Sequence, residues 1–331
     1  MYDNATVTEM ISLIVPLYNE ESSLDAFHSR LAGVLDGISV KAEIIYVNDG
    51  STDSSKDILH TIMAQDSRAC ILDLSRNFGK EVAISAGLDA CRGDAAVIID
   101  ADQQDPPELI EEFIHWWRQG YDVVYGQRQD RSSDTWLKRQ TSRWFYAVMS
   151  KLSRIDIPRD AGDFRLLSRR AIDALGELQE TQRYMKGLYA WIGFPQKAVA
   201  YTREQRAGGT SKWSYWRLWN LAIEGITSFS DAPLKIATYL GLLTALGAFS
   251  YGIYIVWLTL VEGNPVPGYP SLMVVILFLG GVQLISLGII GEYLARNYRE
   301  SKRRKLYFVK EFLRAEPVDE PGPGSEQPPE Q

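Results

Sequence analysis

The stretch VIIDADQQDPPE, residues 97–108, runs an apolar segment straight into Asp100 and Asp102, followed by two glutamines, a third aspartate and a double proline. Two carboxylates one residue apart in extended chain point to the same side, and the intervening Ala101 turns away and is small enough to let a ligand come close. Such a pair suits a hard divalent cation, Mg2+ or Mn2+, which takes one or two carboxylates and completes its shell with substrate phosphates and water. An Asp-x-Asp by itself is a common sequence, and most copies cap helices or face solvent in turns. What separates a site from a turn is the element that carries it.

That element is one of a series. Apolar runs at residues 11–15, 43–47, 69–74 (in ACILDLS), 95–99 and 123–125 read as strands, and each breaks into polar or turn residues. Between them lie amphipathic or small-residue stretches that read as helices: one ending near Leu35, one capped by residues 51–53, GKEVAISAGLDAC, and PPELIEEFIHWWRQG with prolines in its first turn. Later, GDFRLLSRRAIDAL reads as a short strand and a helix, and QKAVAYTRE as another strand. Unbroken apolar strands alternating with helices predict an α/β fold, a mostly parallel sheet covered on both faces. Ligands then bind beyond the carboxyl ends of the strands. Asn19 and Glu20, Asn48 and Asp49, Arg76, Asp100 and Asp102, and Arg128 all fall at those ends. No GxGxxG follows the first strand and no GxxxxGK[ST] occurs, which removes the support for dinucleotide and P-loop chemistry.

Composition narrows the classes further. The chain has 331 residues and a net charge of -7, a balance that argues against nucleic acid as a partner. Cys70 and Cys91 form no CxxC pair and read as buried reduced thiols, and His28, His60 and His115 are scattered on predicted helices, so zinc and histidine acid–base chemistry both lack a basis. The start, MYDNATVTEM, has neither the basic onset nor the apolar run of a signal peptide, so the N-terminal domain is expected in the cytosol.

The mean hydropathy of -0.16 conceals a second region. Residues 234–261 and 272–290 are long apolar runs, each sufficient to span ~30 Å of hydrocarbon at ~1.5 Å per residue. The link EGNPVPGYPS carries no Lys or Arg, whereas Lys235 precedes the first run and RNYRESKRRK follows the second. The positive-inside rule puts both flanks in the cytosol and the link outside. Before the hairpin, Trp213, Trp216 and Trp219 suit a helix lying at headgroup level, and the basic run 296–305 suits anionic lipid. The expected layout is a cytosolic catalytic domain (1–212), interfacial helices (213–233), a two-span transmembrane hairpin (234–295), a basic juxtamembrane segment (296–314) and a Pro/Glu-rich disordered tail (315–331).

Taken together, IVPLYNEE, VNDGSTD, LSRNFGKE, IDADQQDPPE, GDFRL and RAGGTSKW resemble the successive motifs of the family 2 glycosyltransferases of GT-A fold. More narrowly, the chain is similar to the polyprenyl-phosphate sugar transferases, which include dolichyl-phosphate mannose synthase. Within them it is similar to the bacterial bactoprenol glucosyltransferase group, whose two-span C-terminus resembles LMVVILFLGGVQLISLGIIGEYL. The resemblance runs to about Leu313.

It implies a GT-A (Rossmann-like) catalytic domain and a UDP-sugar donor, with nucleotide contacts at Pro16, Tyr18, Glu20, Val47 and Asp49, the last accepting from the uracil edge. Asp100, Ala101 and Asp102 would line the diphosphate, and Asp100, Asp102 and Gln104 would hold Mg2+ or Mn2+. Arg128, Arg206 and Lys212 match phosphate-holding positions, for the donor or for the acceptor polyprenyl phosphate, and Asp163 in GDFRL matches the family's proposed base. The implied reaction is inverting transfer of one sugar, glucose by subgroup, with charge on the departing diphosphate met by the metal and these cations. A phosphate monoester has its second pKa near ~6 and is mostly ionised at neutral pH without help, so positioning stands beside general-base catalysis as a role for Asp163. QTSRW, residues 140–144, matches the QxxRW of processive polysaccharide synthases, but it precedes GDFRL instead of following it, and the chain lacks further spans. A scaffold without activity is disfavoured because the metal and phosphate positions are all present. A homo-oligomer is left open.

Overall fold

A computed structural model describes residues 9–128, 161–178, 180–181, 183–202, 232–262 and 268–314. Arg206, Lys212, the predicted interfacial tryptophans, QTSRW and the tail lie outside these residues.

Eight strands form one sheet in the order β7-β5-β6-β4-β1-β2-β3-β8. They are β1 (Met10–Leu17), β2 (Lys41–Asn48), β3 (Ala69–Leu74), β4 (Ala95–Ile98), β5 (Val123–Arg128), β6 (Ala161–Ser168), β7 (Gln196–Tyr201) and β8 (Val309–Arg314). The β1–β2, β2–β3, β1–β4 and β5–β7 pairs are parallel, whereas β6 runs antiparallel to both β4 and β5, and β8 antiparallel to β3. Strand alternation sorts the core into two layers. Leu13, Val15, Tyr46 and Ile71 pack on one face against α1 (Leu24–Asp36), α2 (Ser55–Gln65) and α4 (Leu109–Arg118) through Phe27, Leu31, Leu59 and Phe113. Ile14, Ile45, Val47 and Leu72 pack on the other against α3 (Lys80–Ala90), α5 (Arg169–Glu177) and α6 (Met185–Trp191) through Ile84, Leu175 and Leu188. The small residues of α3 have a specific use: a Cβ on Gly87 would lie 2.3 Å from Ile14 Cγ2, so only glycine lets this helix sit so close to β1.

Two helices, α7 (Ala232–Glu262) and α8 (Tyr269–Ser301), follow. Their apolar side chains are exposed, and stretches Leu234–Leu258 and Val274–Ser301 are long and apolar enough to cross a membrane. Exposed Leu, Ile, Val and Phe along two such helices fit a lipid surround. After α8 the chain re-enters the sheet as β8, a strand the sequence reading did not contain. KEFLR lacks a long apolar run and sits in a basic context, so its pairing is set by its partners. Arg314 lies 3.2 Å from the buried Glu43, and Lys56 Nζ joins Asp73 at 2.8 Å to Glu311 at 3.1 Å. The end of α8 is also tied to the catalytic part, as Thr181 donates from its N–H at 3.0 Å and its hydroxyl at 2.7 Å to Glu300 Oε1.

Candidate active site

The strand order reverses between β1 and β4: β2 and β3 extend to one side of β1, and β4 to the other. The loops leaving β1 and β4 therefore part, and open a crevice at their carboxyl ends. Tyr18, 44% exposed, and the partly exposed Glu20 lie on the first loop; Asp100 and Asp102 lie on the second. Pro16 and Val47 are buried within β1 and β2 beneath them.

The loops after β1, β2 and β3 are laced into one rim. Asn19, at φ 55°, accepts Thr52 N–H at 2.8 Å and donates its own N–H to Ser51 Oγ at 3.0 Å, while Glu20 N–H donates to Ser55 Oγ at 3.0 Å. Gly50, at φ 68°, approaches the next loop so closely that a Cβ there would lie 2.5 Å from the carbonyl carbon of Arg76. Asp49 is buried, and its two oxygens accept the N–H groups of Phe78 at 2.7 Å and Gly79 at 2.8 Å. Burial pushes its pKa up, against the pull of those two amides and Arg76. Asp49 thus braces the 77–79 loop, and only its remaining lone pairs are open to a base edge.

The acidic side of the crevice owes its form to the antiparallel β6. Ile98 pairs with Arg165 and Val97 with Leu166, so continuing the register by two residues sets Asp163 opposite Asp100. Like charges directly opposed on neighbouring strands repel. Here Lys80 Nζ lies between them, 2.7 Å from Asp100 Oδ2 and 2.6 Å from Asp163 Oδ2. Burial by itself would raise the Asp163 pKa, but Lys80, Lys186 and Arg165 outweigh it and hold the carboxyl well below the usual range. Asp100 shifts the other way, because burial, with Asp163 across from it, exceeds what Lys80 returns. Burial likewise lifts the neighbouring Glu81 to about 7, with Asp163 adding to the effect. Arg165 donates to Gly162 O at 2.6 Å, with its guanidinium 3.7 Å over the Tyr189 ring.

Lys80 is the site residue that sequence reading missed. It lies within LSRNFGKE, and it carries a signal: a lysine in the first turn of α3, at the positive end of the helix dipole, where cations are disfavoured without a nearby anion.

Strand periodicity does not reach Asp102, contrary to expectation. β4 ends at Ile98, residues 101–103 turn, and Gln103 takes φ 59°. Asp102 Oδ1 instead accepts the N–H of Gln104 at 3.1 Å, an Asx turn that brings Asp102 and Gln104 together, while Ala101 is buried in the first core layer. This donor set of two carboxylates and an amide oxygen is all-oxygen and partly exposed, and Asp100 already holds a cation, the ammonium of Lys80, at 2.7 Å. Among the described residues no three His, Cys, Asp or Glu side chains cluster as a complete cage. A site that borrows substrate phosphates needs no such cage, so the residues fit Mg2+ or Mn2+.

Arg128 closes β5 beside Gly162, whose Cβ position would lie 3.6 Å from its Nη2. Tyr201 hydrogen-bonds both Arg128 and Asp105, donating its hydroxyl to the carboxylate. Arg128 Nε and Asp163 Oδ1 are buried without a hydrogen-bond partner among the described residues.

A family model described as Glycosyl transferase family 2 matches residues 12–176, and another, GtrB C-terminal hairpin, matches residues 232–296. A glycosyltransferase of Synechocystis sp. is 49% identical over 306 residues, covering 92% of this chain and 96% of its own. The bactoprenol glucosyl transferase of Shigella phage SfV is 47% identical over 300 residues, 91% of this chain and 98% of that one. The Escherichia coli K12 prophage bactoprenol glucosyl transferase homolog is 45% identical over 300 residues, with the same coverage. Among solved structures, glucosyl-3-phosphoglycerate synthase of Mycobacterium tuberculosis aligns with 66% of this chain and 78% of its own, at 19% identity and a TM-score of 0.47. With relatives this similar over nearly its whole length, the chain belongs to glycosyl transferase family 2 and carries a C-terminal hairpin of the GtrB type.

Proposed function

We propose that the protein transfers a single glucose, with inversion, from UDP-glucose to a polyprenyl phosphate, undecaprenyl phosphate in the first instance, at the cytoplasmic face of the cell membrane. The observation that carries this reading is the joining, in one chain, of an acidic strand-end crevice to two apolar helices, in a protein 47% identical to a bactoprenol glucosyl transferase. A polyprenyl chain stays in the bilayer and keeps its phosphate at headgroup depth, so an enzyme acting on it needs its crevice there. The bonds from Thr181 to Glu300 and the pairing of β8 with β3 fix the end of α8 to the catalytic sheet. The basic flanks of the hairpin support a cytosolic side for this sheet.

Asp100, Asp102 and Gln104 would hold a divalent cation, Mg2+ or Mn2+, which supplies electrophilic stabilisation of the departing diphosphate. Pro16, Tyr18, Glu20, Val47 and Asp49 frame the nucleoside, and Arg128, with Arg206 and Lys212, meets phosphate charge. An acceptor phosphate oxygen attacks the anomeric carbon as the bond to UDP breaks on the opposite face. Asp163 is held ionised far below neutral pH, which makes it a weak proton acceptor. An acceptor phosphate that is already mostly ionised asks for placement, and Asp163 serves by holding Lys80. The test is product analysis with the full-length protein in detergent, undecaprenyl phosphate and labelled UDP-glucose, UDP-GlcNAc, UDP-galactose, GDP-mannose or a UDP-aminoarabinose derivative. One glucose per lipid phosphate is expected. A polymer, or transfer of another sugar in preference, overturns the reading.

A further inference from the structure

Lys80 occupies a position that a structural ion pair alone does not account for. It is a cation at the positive end of α3, bridging one carboxylate assigned to the metal and another assigned to positioning. Its side chain is 41% exposed, against 22% for Asp100 and 19% for Asp163, so the lysine is the most accessible member of the bridge. A Mg2+ or Mn2+ ion binds a carboxylate oxygen at ~2.1 Å. An ammonium 2.7 Å from the same Asp100 carboxylate would then face a dication within a few ångströms, and the two repel. Each cation weakens the other's hold on Asp100, whereas Asp163, on the neighbouring strand, remains for the lysine.

The geometry points to Lys80 as an internal counter-cation that stands in for the metal: it clamps Asp100 to Asp163 in the donor-free enzyme, yields Asp100 when metal and donor arrive, and keeps Asp163. This rests on the metal assignment made above for the transferase. Lys80 is a positioning residue in this scheme, and it makes metal entry competitive.

The experiment measures Mn2+ affinity in the presence of UDP, by electron paramagnetic resonance of free Mn2+ or by calorimetry, on the full-length protein in detergent. Lys80→Gln removes the competing charge and is expected to bind Mn2+ several-fold more tightly than wild type while turning over more slowly. Asp163→Asn removes the alternative partner, leaves Lys80 to Asp100 alone, and is expected to bind Mn2+ several-fold more weakly. Asp102→Ala, which removes a metal carboxylate, serves as the control for loss of binding. A purely structural bridge moves both variants in the same direction, and that result, or unchanged affinity in Lys80→Gln, overturns the inference. Removal of the Lys80 charge is the deciding change, so Lys80→Met, equally uncharged, is measured beside Lys80→Gln with the same expected gain in Mn2+ affinity, and a gain in neither overturns the inference. A wild-type protein that binds no Mn2+ with UDP overturns the metal assignment and this inference together. Transfer of glucose by wild type with no change in Lys80→Gln affinity overturns this inference only.

Discussion

At the scale of single residues, the crevice is a balance of buried charge. Asp163 stays ionised because Lys80, Lys186 and Arg165 outweigh its burial, and the same crowding acts in reverse on Glu81, whose carboxyl titrates at about 7 in place of its ordinary 4.5. Between those values the folded protein binds more protons than the unfolded chain, so this residue's contribution to stability declines as pH rises from about 4.5 through about 7, and is level above. Glu81→Gln, neutral at every pH, is expected to match wild type near pH 5 and to melt several degrees higher near pH 8; parallel melting curves across that range would refute the assignment. For Asp163→Asn, turnover is expected to drop by about 10²-fold and to stay low as pH is raised, because what is lost is the anchor of Lys80. Recovery of activity at high pH would return Asp163 to the role of base.

At the scale of elements, the site depends on three loops packed as one. Gly50 is the tightest point, with φ 68° and no room for a Cβ against the backbone of Arg76 and Asn77. Gly50→Ala is expected to cost about 1–2 kcal/mol from the left-handed conformation, with more from the clash. A thermal shift of several degrees together with a higher KM for the nucleotide sugar would report it, since the rim it distorts also holds Asp49 and Asn19. Unchanged melting would mean that the loops are not interlocked as described.

At the scale of the whole molecule, the catalytic sheet is completed from beyond the hairpin. β8 covers the β3 edge, and Arg314 meets Glu43, which is 5% exposed and also accepts from Ser12 Oγ at 2.6 Å and Arg92 N–H at 2.8 Å. Truncation after Ser301 keeps both apolar helices but bares that edge and takes a cation from a buried carboxylate. The truncated protein is expected to melt lower and to aggregate in detergent, whereas truncation after Arg314 is expected to leave melting and activity unchanged. Equal stability of the two truncations, read by size-exclusion chromatography and thermal scans, would deny β8 this role.

Much of this was legible in the chain. Alternating apolar runs and helices specified an α/β sheet because strand and helix periods leave different marks, and β1 to β5 lie where those marks put them. The two long apolar runs declared the hairpin by length alone, and the motif order identified the family. Asp100 and Asp102 were visible as acid at a strand end, but their relation was not. A turn stabilised by a local hydrogen bond, not strand alternation, brings Asp102 toward Gln104. Asp163 stands opposite Asp100 only because β6 runs antiparallel, and strand direction is fixed by which neighbours pair, something no local pattern contains. Lys80 and β8 were hidden for the same reason: each is defined by partners distant in sequence, the lysine by Asp163 and the strand by β3. The sequence by itself determined which elements form and what chemistry their ends could carry. The tertiary structure decided which charges face one another, because electrostatics acts across space and the register that brings the charges together is a property of the assembled sheet.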